Sequence, residues 1–307
     1  MDPEILVIGE SLIDIVRQAG QPAAAHPGGS SMNTAVGLGR LGHSPTLATW
    51  IGRDEYGQLI ADHCAQSHVT ILPGSDGAPH TATADAAIDA AGQARYTFDF
   101  DWRMPPIPDD ERPWLVHTGS LGALFGPGGE DVCAYIESQS ATSLITFDPN
   151  CRPSLMGEPS RVRALCERYV EACSLVKVSD EDLAWLYPAT DSDDALLDRA
   201  HAWAGRGASV VVVTLGARGA LAVTAQGDEL HVPPDTSHGL VDTVGAGDSF
   251  MAGLIHGWAT GWADHATPLL GTPDHLQAIL NQAATIAGIT VSRAGANPPW
   301  LAELPGT

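Results

Sequence analysis

The sequence predicts an α/β fold: a three-layer sandwich with a mostly parallel central sheet between helices, and a small β-sheet lid. Three observations carry this. Short apolar, β-branched runs alternate with helical patterns from one end of the 307 residues to the other. The main runs are continuously apolar instead of alternating, as expected for strands covered on both faces. Hydrophobic residues make up 44% of the chain and charged residues only 17%, enough to fill a sizeable core.

Taken in order, ILVIG at 5–9 reads as the first buried strand. After Gly28 and Gly29, a helix is expected to begin near Asn33 and run through AVGLGRL. TLATWIG (46–52) is strand-like, and YGQLIADHCAQ (56–66) has helical spacing. Later strands are WLVHTGS (114–120), SLITFDP (143–149), LVKVS (175–179) and SVVVVTLG (209–216). Helices are expected around 129–141, 159–173 and 194–206. Two segments break the rhythm. LIDIV (12–16) follows the first strand at once, and TATADAAIDAAGQARYTFDF (81–100) reads as two alternating strands about Ala91 and Gly92. Strands with one polar face do not suit a covered parallel core. They are expected to form the lid, from about 10–26 and 80–103, inserted into a single domain spanning 1–307. The Pro-rich stretch Met104–Pro113 returns the chain to the core, and there is no internal repeat.

Composition excludes several functions. Asp plus Glu number 37 against 15 Lys plus Arg, a formal net charge of -22. Such a chain repels a phosphate backbone and an anionic membrane surface. A small anion is not excluded, because a few backbone amides at a helix end build a local site. The N-terminal MDPEILVIGESLIDIV lacks the charged start and long apolar run of a signal peptide, and no apolar stretch reaches the ~18 residues of a membrane helix. The five cysteines are scattered and form no C-x-x-C pair, so free thiols in a reducing cytoplasm are expected. The twelve histidines show no metal-ligand spacing.

The chemistry concentrates in Asp242-Thr243-Val244-Gly245-Ala246-Gly247-Asp248, followed by SFMAGLIHGW. The apolar spacing after the glycines is helical. The amides of Gly245, Ala246 and Gly247 therefore belong at a helix N-terminus, where unpaired N–H groups and the dipole favour negative charge. Asp248, beside that anion hole, either caps the helix or takes the proton of a hydroxyl attacking a phosphoryl group.

With Gly28-Gly29-Ser30-Ser31-Met32-Asn33, then Gly42, Gly52-Arg53-Asp54 and Gly57, this segment resembles the two ordered signatures of the ribokinase-like sugar kinases, the PfkB family, over essentially the whole chain. The resemblance implies ATP-dependent transfer of the γ-phosphoryl group to a primary sugar hydroxyl, with Asp248 as base and Gly245, Ala246 and Gly247 as the anion hole. It gives Asp14, Gly29 and Asn33 to the sugar; Asn33 is also read as an N-cap. Arg95 and Phe98 match lid residues closing over the sugar, or are simply surface lid residues. Asp148-Pro149-Asn150-Cys151-Arg152 is similar to the D-x-N-x-R segment of fructokinase-like members, with Arg152 on sugar or phosphate, or in a salt bridge.

Lys177-Val178-Ser179-Asp180-Glu181-Asp182 stands where the family has N-x-x-E, which orders magnesium-bound water. Ser179 and Asp182 take the motif positions, with Glu181 as a substitute for the acid. Lys177, the only lysine, binds nucleotide or is an ordinary surface charge. Thr214, Gly216 and Gly219 resemble the nucleotide-binding turn, or form a hairpin to GALAV. Asn281 reaches adenine or is an exposed helical side chain. Asp242, with carbonyls from Thr290, Arg293 and Gly295, matches a monovalent-cation site, so potassium is a further cofactor candidate. The resemblance favours fructose over 2-keto-3-deoxygluconate, ribose and nucleosides, and suggests a homodimer formed through the lid. A sugar-binding protein without turnover is the non-enzymatic alternative.

Overall fold

The computed structural model describes residues 3–18, 23–88, 94–108, 112–190, 192–263 and 272–306. In chain order the elements are β1 (Ile5–Ile8), β2 (Leu12–Gln18), β3 (Ala24–Gly28), α1 (Ser30–Arg40), β4 (Thr46–Ala48), α2 (Glu55–Gln66), β5 (Thr70–Ile71), β6 (Thr83–Ile88) and β7 (Ala94–Asp99). There follow β8 (Leu115–Gly119), α3 (Ser120–Leu124), α4 (Gly126–Gln139), β9 (Leu144–Asp148), α5 (Pro153–Met156), α6 (Pro159–Ala172), β10 (Leu175–Ser179), α7 (Asp180–Leu186) and α8 (Asp193–Ala204). The chain ends with β11 (Val210–Thr214), β12 (Ala220–Thr224), β13 (Glu229–Val232), α9 (Ala246–Ala263) and α10 (Pro273–Val291).

Nine strands form the main sheet in the order β13-β12-β11-β10-β9-β8-β1-β4-β5. All neighbours are parallel except β12 and β13, which return as antiparallel hairpins. The buried Val and Ile runs explain the parallel part: every residue of β1 is buried, as are Val210 to Val213 of β11, and apolar side chains serve both faces. On one face they pack with α3, α4, α6, α7 and α8 around Phe147, Tyr169 and Trp203. On the other they pack with α1, α2, α9 and α10 around Met32, Met251 and Ile279.

A separate four-stranded sheet, β3-β2-β6-β7, contains both segments expected to form the lid. Its own core is small: Leu12, Ala82 and Ala84, with Phe98 and Phe100 against them. The turn expected at Ala91 and Gly92 lies outside the described residues.

Two details differ from the sequence reading. α1 begins at Ser30, three residues before Asn33. Gly29, at φ 112°, turns the chain into the helix, and Glu10 Oε1 accepts the Ser30 amide at 3.0 Å, doing the work of a cap from outside the helix. The edge strand β13 has no apolar run to announce it; only its pairing with β12 makes it a strand.

The order of strands matters for function. From central β1 the sheet grows one way through β4 and β5 and the other way through β8 to β11, so β1 and β8 straddle a switch in direction. Ligands of such sheets bind outside the carboxyl ends of strands at that crevice. The segments after β1, β8, β9 and β10 all end there.

Candidate active site

The glycine turn leads into α9 as the spacing predicts. Gly245 adopts φ 77°, and a Cβ there would lie 2.6 Å from Ala296 Cβ, so both conformation and space require glycine. Ala246 N donates to Thr243 O at 3.2 Å, which commits one of the three expected amides to the turn itself. Among the described residues, the amides of Gly245, Gly247 and Asp248 have no acceptor within the chain. The amides left free at the start of α9 are therefore those of Gly245, Gly247 and Asp248, while that of Ala246 closes the turn.

Asp248 is 5% exposed in the first turn of α9 and receives three donors. Ser30 Oγ and Asn150 Nδ2 donate to Oδ1 at 2.7 and 3.1 Å, and Asn33 Nδ2 donates to Oδ2 at 2.8 Å. Asn150 Nδ2 also donates to Ser30 Oγ at 2.8 Å. Three distant segments thus meet on one carboxylate. Asn150 reaches it from a left-handed backbone conformation, φ 34°, a strain that non-glycine residues adopt only where the surroundings enforce it. Asn33 is inside α1 and not its cap; its amide turns to Asp248.

Arg152 curls back on this loop, donating from Nη1 to Asn150 Oδ1 at 2.6 Å and to the carbonyls of Asn150 and Cys151 at 3.0 Å. Its charge also acts on Glu10 and Asp14. Asp14 is half-buried on β2 opposite His26 of β3; burial pushes its carboxyl up, while His26 and Arg152 act the other way. A Cβ on Gly28 would sit 2.1 Å from Asp14 Oδ2, so this glycine makes room for the carboxylate. Gly29 is required by packing: a Cβ would lie 2.6 Å from the Glu10 carbonyl oxygen. On β7, Arg95 pairs with Ala87 and Phe98 with Ala84, and Phe98 packs into the lid core half-buried.

Glu10, which sequence reasoning passed over, ties the site together. Its Oε1 holds the Ser30 amide and its Oε2 accepts the Gly122 amide at 2.7 Å, joining the starts of α1 and α3. Full burial pushes its carboxyl up to about 7 against those hydrogen bonds. Ser30 and Asn150 were also unassigned. The only signal for them lies within the two motifs already recognised, beside Asn33 and Asp148.

Below Asp248 lies a charged layer. Lys177 is 3% exposed and its Nζ donates to Asp148 Oδ2 at 2.7 Å, so it is not the ordinary surface charge, one of the two expectations for it. Burial, with Asp182 and Asp248 nearby, pushes Asp148 up to about 6 although Lys177 opposes it. Ser179 and Asp182 form a reciprocal cap at the start of α7. Asp182 Oδ1 accepts the Cys151 amide at 2.8 Å, and Oδ2 accepts the Ser179 amide at a long 3.3 Å. Oδ2 therefore keeps lone pairs for a further donor, which fits the water-ordering role. Among the described residues no cluster of three or more His, Cys, Asp or Glu side chains is spaced to hold an ion by itself. Magnesium suits this site only with nucleotide phosphates supplying most of its oxygens.

The other expectations divide. Thr214 closes β11 at the carboxyl edge, Gly216 (φ 55°) has open space above it, and both suit a nucleotide. At Gly219 a Cβ would lie 2.0 Å from the Val232 carbonyl oxygen, so packing requires glycine there. Asp242 and Gly295 are brought together, with Asp242 Oδ2 accepting the Gly295 amide at 2.9 Å, and this holds the Asp242 carboxyl low. Thr290 O accepts the Arg293 amide at 3.1 Å, while the Arg293 guanidinium pairs with Glu303. Asn281 lies further along the helix pair. α9 and α10 run antiparallel, with Gly253 against Ala283 and Gly257 against Ile279, so Asn281 lies about 10 Å along α9 from Asp248. It accepts from Gln277 and lines a cavity of about 550 Å³ with Thr260, His275 and Thr285, away from the glycine turn.

The chain matches the family described as pfkB family carbohydrate kinase over residues 2–109 and 114–303. A fructokinase of Rhizobium leguminosarum bv. trifolii is 33% identical over 264 residues, 82% of this chain and 78% of the relative. The ATP-bound fructokinase from Xylella fastidiosa superposes with a TM-score of 0.78 at 23% identity, covering 99% of this chain and 97% of that one. A double mutant of the fructokinase from Vibrio cholerae O395, in a fructose-, ADP- and potassium-bound form, gives 0.77 at 23% identity over 96% and 94%. These two likenesses speak for the fold.

Proposed function

The chain belongs to the pfkB family of carbohydrate kinases, and on that footing we propose that it transfers the γ-phosphoryl group of ATP to a primary hydroxyl of free fructose. The observation that carries the mechanism is the convergence of Ser30, Asn33 and Asn150 on Asp248 beside the glycine turn. Two donors occupy Oδ1 and one occupies Oδ2, so Oδ2 is the oxygen that takes the hydroxyl proton. Asn33 holds Oδ2 in place with its amide N–H and keeps its carbonyl oxygen for a sugar hydroxyl.

The deprotonated sugar oxygen attacks the γ-phosphorus, the bond to the bridging oxygen breaks, and ADP leaves. Negative charge on the transferring group faces the amides of Gly245, Gly247 and Asp248 at the start of α9, donors already in place before the reaction. Asp14 and Arg152 orient the sugar beneath the lid, where Phe98 and Arg95 lie on the covering strand. Thr214 and Gly216 receive the nucleotide. Magnesium, when bound with ATP, neutralises phosphate charge, and Asp182 Oδ2 with Ser179 would hold its water. Asp242 and the 290–295 segment suit a monovalent cation such as potassium, next to the turn they stabilise.

Fructose is favoured by the D-x-N-x-R segment at Asp148–Arg152 and by the activity for which the Rhizobium relative is named. A reducing cytoplasm fits the five cysteines, all buried and free. Among the described residues no helix is long and apolar enough to cross a membrane. The lid's outer strands β3 and β7 each pair on one side within the chain, edges that suit a homodimer through the lid. A coupled ADP-release assay with fructose, ribose, ketodeoxygluconate and adenosine tests the assignment. Fructose should give the highest kcat/KM; comparable values for ribose or adenosine overturn fructose and leave the family intact.

A further inference from the structure

The single lysine of this chain is buried under the phosphate-binding turn. Lys177 lies on β10 with its side chain 4% exposed, paired to an Asp148 side chain that is 2% exposed. A Cβ on Gly247 would lie 2.9 Å from Lys177 Nζ, so the ammonium touches the inner side of the turn whose outer side meets phosphate. Asp148 Oδ1 has no hydrogen-bond partner among the described residues. A pair built for stability alone would satisfy that oxygen, and a buried ion pair is in any case weak evidence for stability.

The surroundings show what the charge is for. Asp182 and Asp248 both act on Asp148 with like charge, in a chain with net charge -22. Nucleotide and phosphoryl oxygens add further negative charge on entry. Besides the partial charge of the helix end, the positive groups placed there among the described residues are Arg152, which is exposed and turned to its own loop, and Lys177. We propose that Lys177, held by Asp148, is a positioning residue that places a fixed positive charge behind Gly247 and strengthens the phosphoryl site from inside the protein. It acts through the turn and does not touch the nucleotide. This inference rests on the kinase reading and adds to it.

The test is a double-mutant cycle on the full chain: wild type, Lys177→Met, Asp148→Asn and the double variant, each measured at saturating magnesium for kcat, sugar KM and melting temperature. Lys177→Met alone strands a buried carboxylate and should lower both stability and rate. The double variant removes both charges with little change in shape, so its melting temperature should return towards wild type. Its kcat should nevertheless stay at least about tenfold below wild type, with sugar KM within about threefold; direct removal of one oxyanion donor typically costs ~10²–10³. A double variant that regains wild-type kcat along with its stability overturns the inference, because the pair would then be only a structural tie. A wild type without sugar-dependent ADP release overturns the kinase reading as well, so the two failures are distinct.

A second measurement does not depend on any variant folding. Because Lys177 is the only lysine, protein labelled with ¹⁵N at lysine Nζ gives one ammonium resonance. That resonance should shift when a non-hydrolysable ATP analogue and magnesium are added. An unmoved resonance at saturating analogue overturns the inference.

Discussion

Asp248→Asn separates a catalytic carboxylate from a structural one, and the geometry sets the size of each effect. The amide keeps an oxygen for Ser30 and Asn150, now as neutral instead of charge-assisted acceptor. Its NH₂ replaces Oδ2 and meets the NH₂ of Asn33, so one hydrogen bond is lost unless Asn33 flips. A buried donor left without a partner costs ~1–3 kcal/mol, and removing a buried charge offsets part of that, so the net loss should be about 1–2 kcal/mol. The loss of rate should be far larger. Neutral amide takes no proton, and positioned acid–base catalysis contributes ~10²–10⁴. A coupled ADP assay with fructose, run beside a thermal melt, should show kcat down at least about a hundredfold with sugar KM little changed. A kcat within about threefold of wild type, in a protein that melts normally, would refute Asp248 as the base and with it the mechanism.

Glu10→Gln should alter how stability depends on pH. Burial pushes the folded carboxyl up to about 7 from its ordinary 4.5, so between those values the folded state binds the extra proton and stability falls as pH rises. The shift corresponds to about 3 kcal/mol, fully present as a cost above pH 7 and absent below about 4.5. Denaturant melts across pH 4.5 to 8 should show a shallower slope in the variant; parallel curves would mean that Glu10 does not carry this burden. Asp182→Asn keeps an acceptor for the Cys151 amide but turns an NH₂ towards the Ser179 amide, so stability should fall by about 1–2 kcal/mol while the magnesium concentration for half-maximal rate rises several-fold; an unchanged magnesium curve would confine Asp182 to capping α7. Gly29→Ala must hold φ 112° with a Cβ against the Glu10 carbonyl, and should lose ~1–3 kcal/mol in a thermal melt. Wild-type stability in that variant would show that the turn before α1 can relax.

What the sequence determined by itself was whatever is written in local pattern. Apolar runs with no polar alternation, as in VVVVT, can only be strands covered on both faces, and that settled the parallel sheet between helices. Interrupted alternation at LIDIV and around Tyr96 settled the second sheet. Glycines followed by helical spacing placed Asp248 at a helix start beside free amides. Tertiary structure decided what depends on residues far apart in the chain. β13 is a strand only because β12 lies beside it. Lys177 looked like a surface charge because lysine usually is one; Asp148, 29 residues earlier, makes its burial tolerable. Glu10, Ser30 and Asn150 have ordinary identities, and their importance appears only when the carboxyl ends of β1 and β9 and the starts of α1 and α9 converge. The height of Asn281 above Asp248 is set by the antiparallel packing of α9 and α10. Local propensity and spacing act within a few residues, whereas burial, charge pairing and the geometry of a shared carboxylate are set by the whole fold.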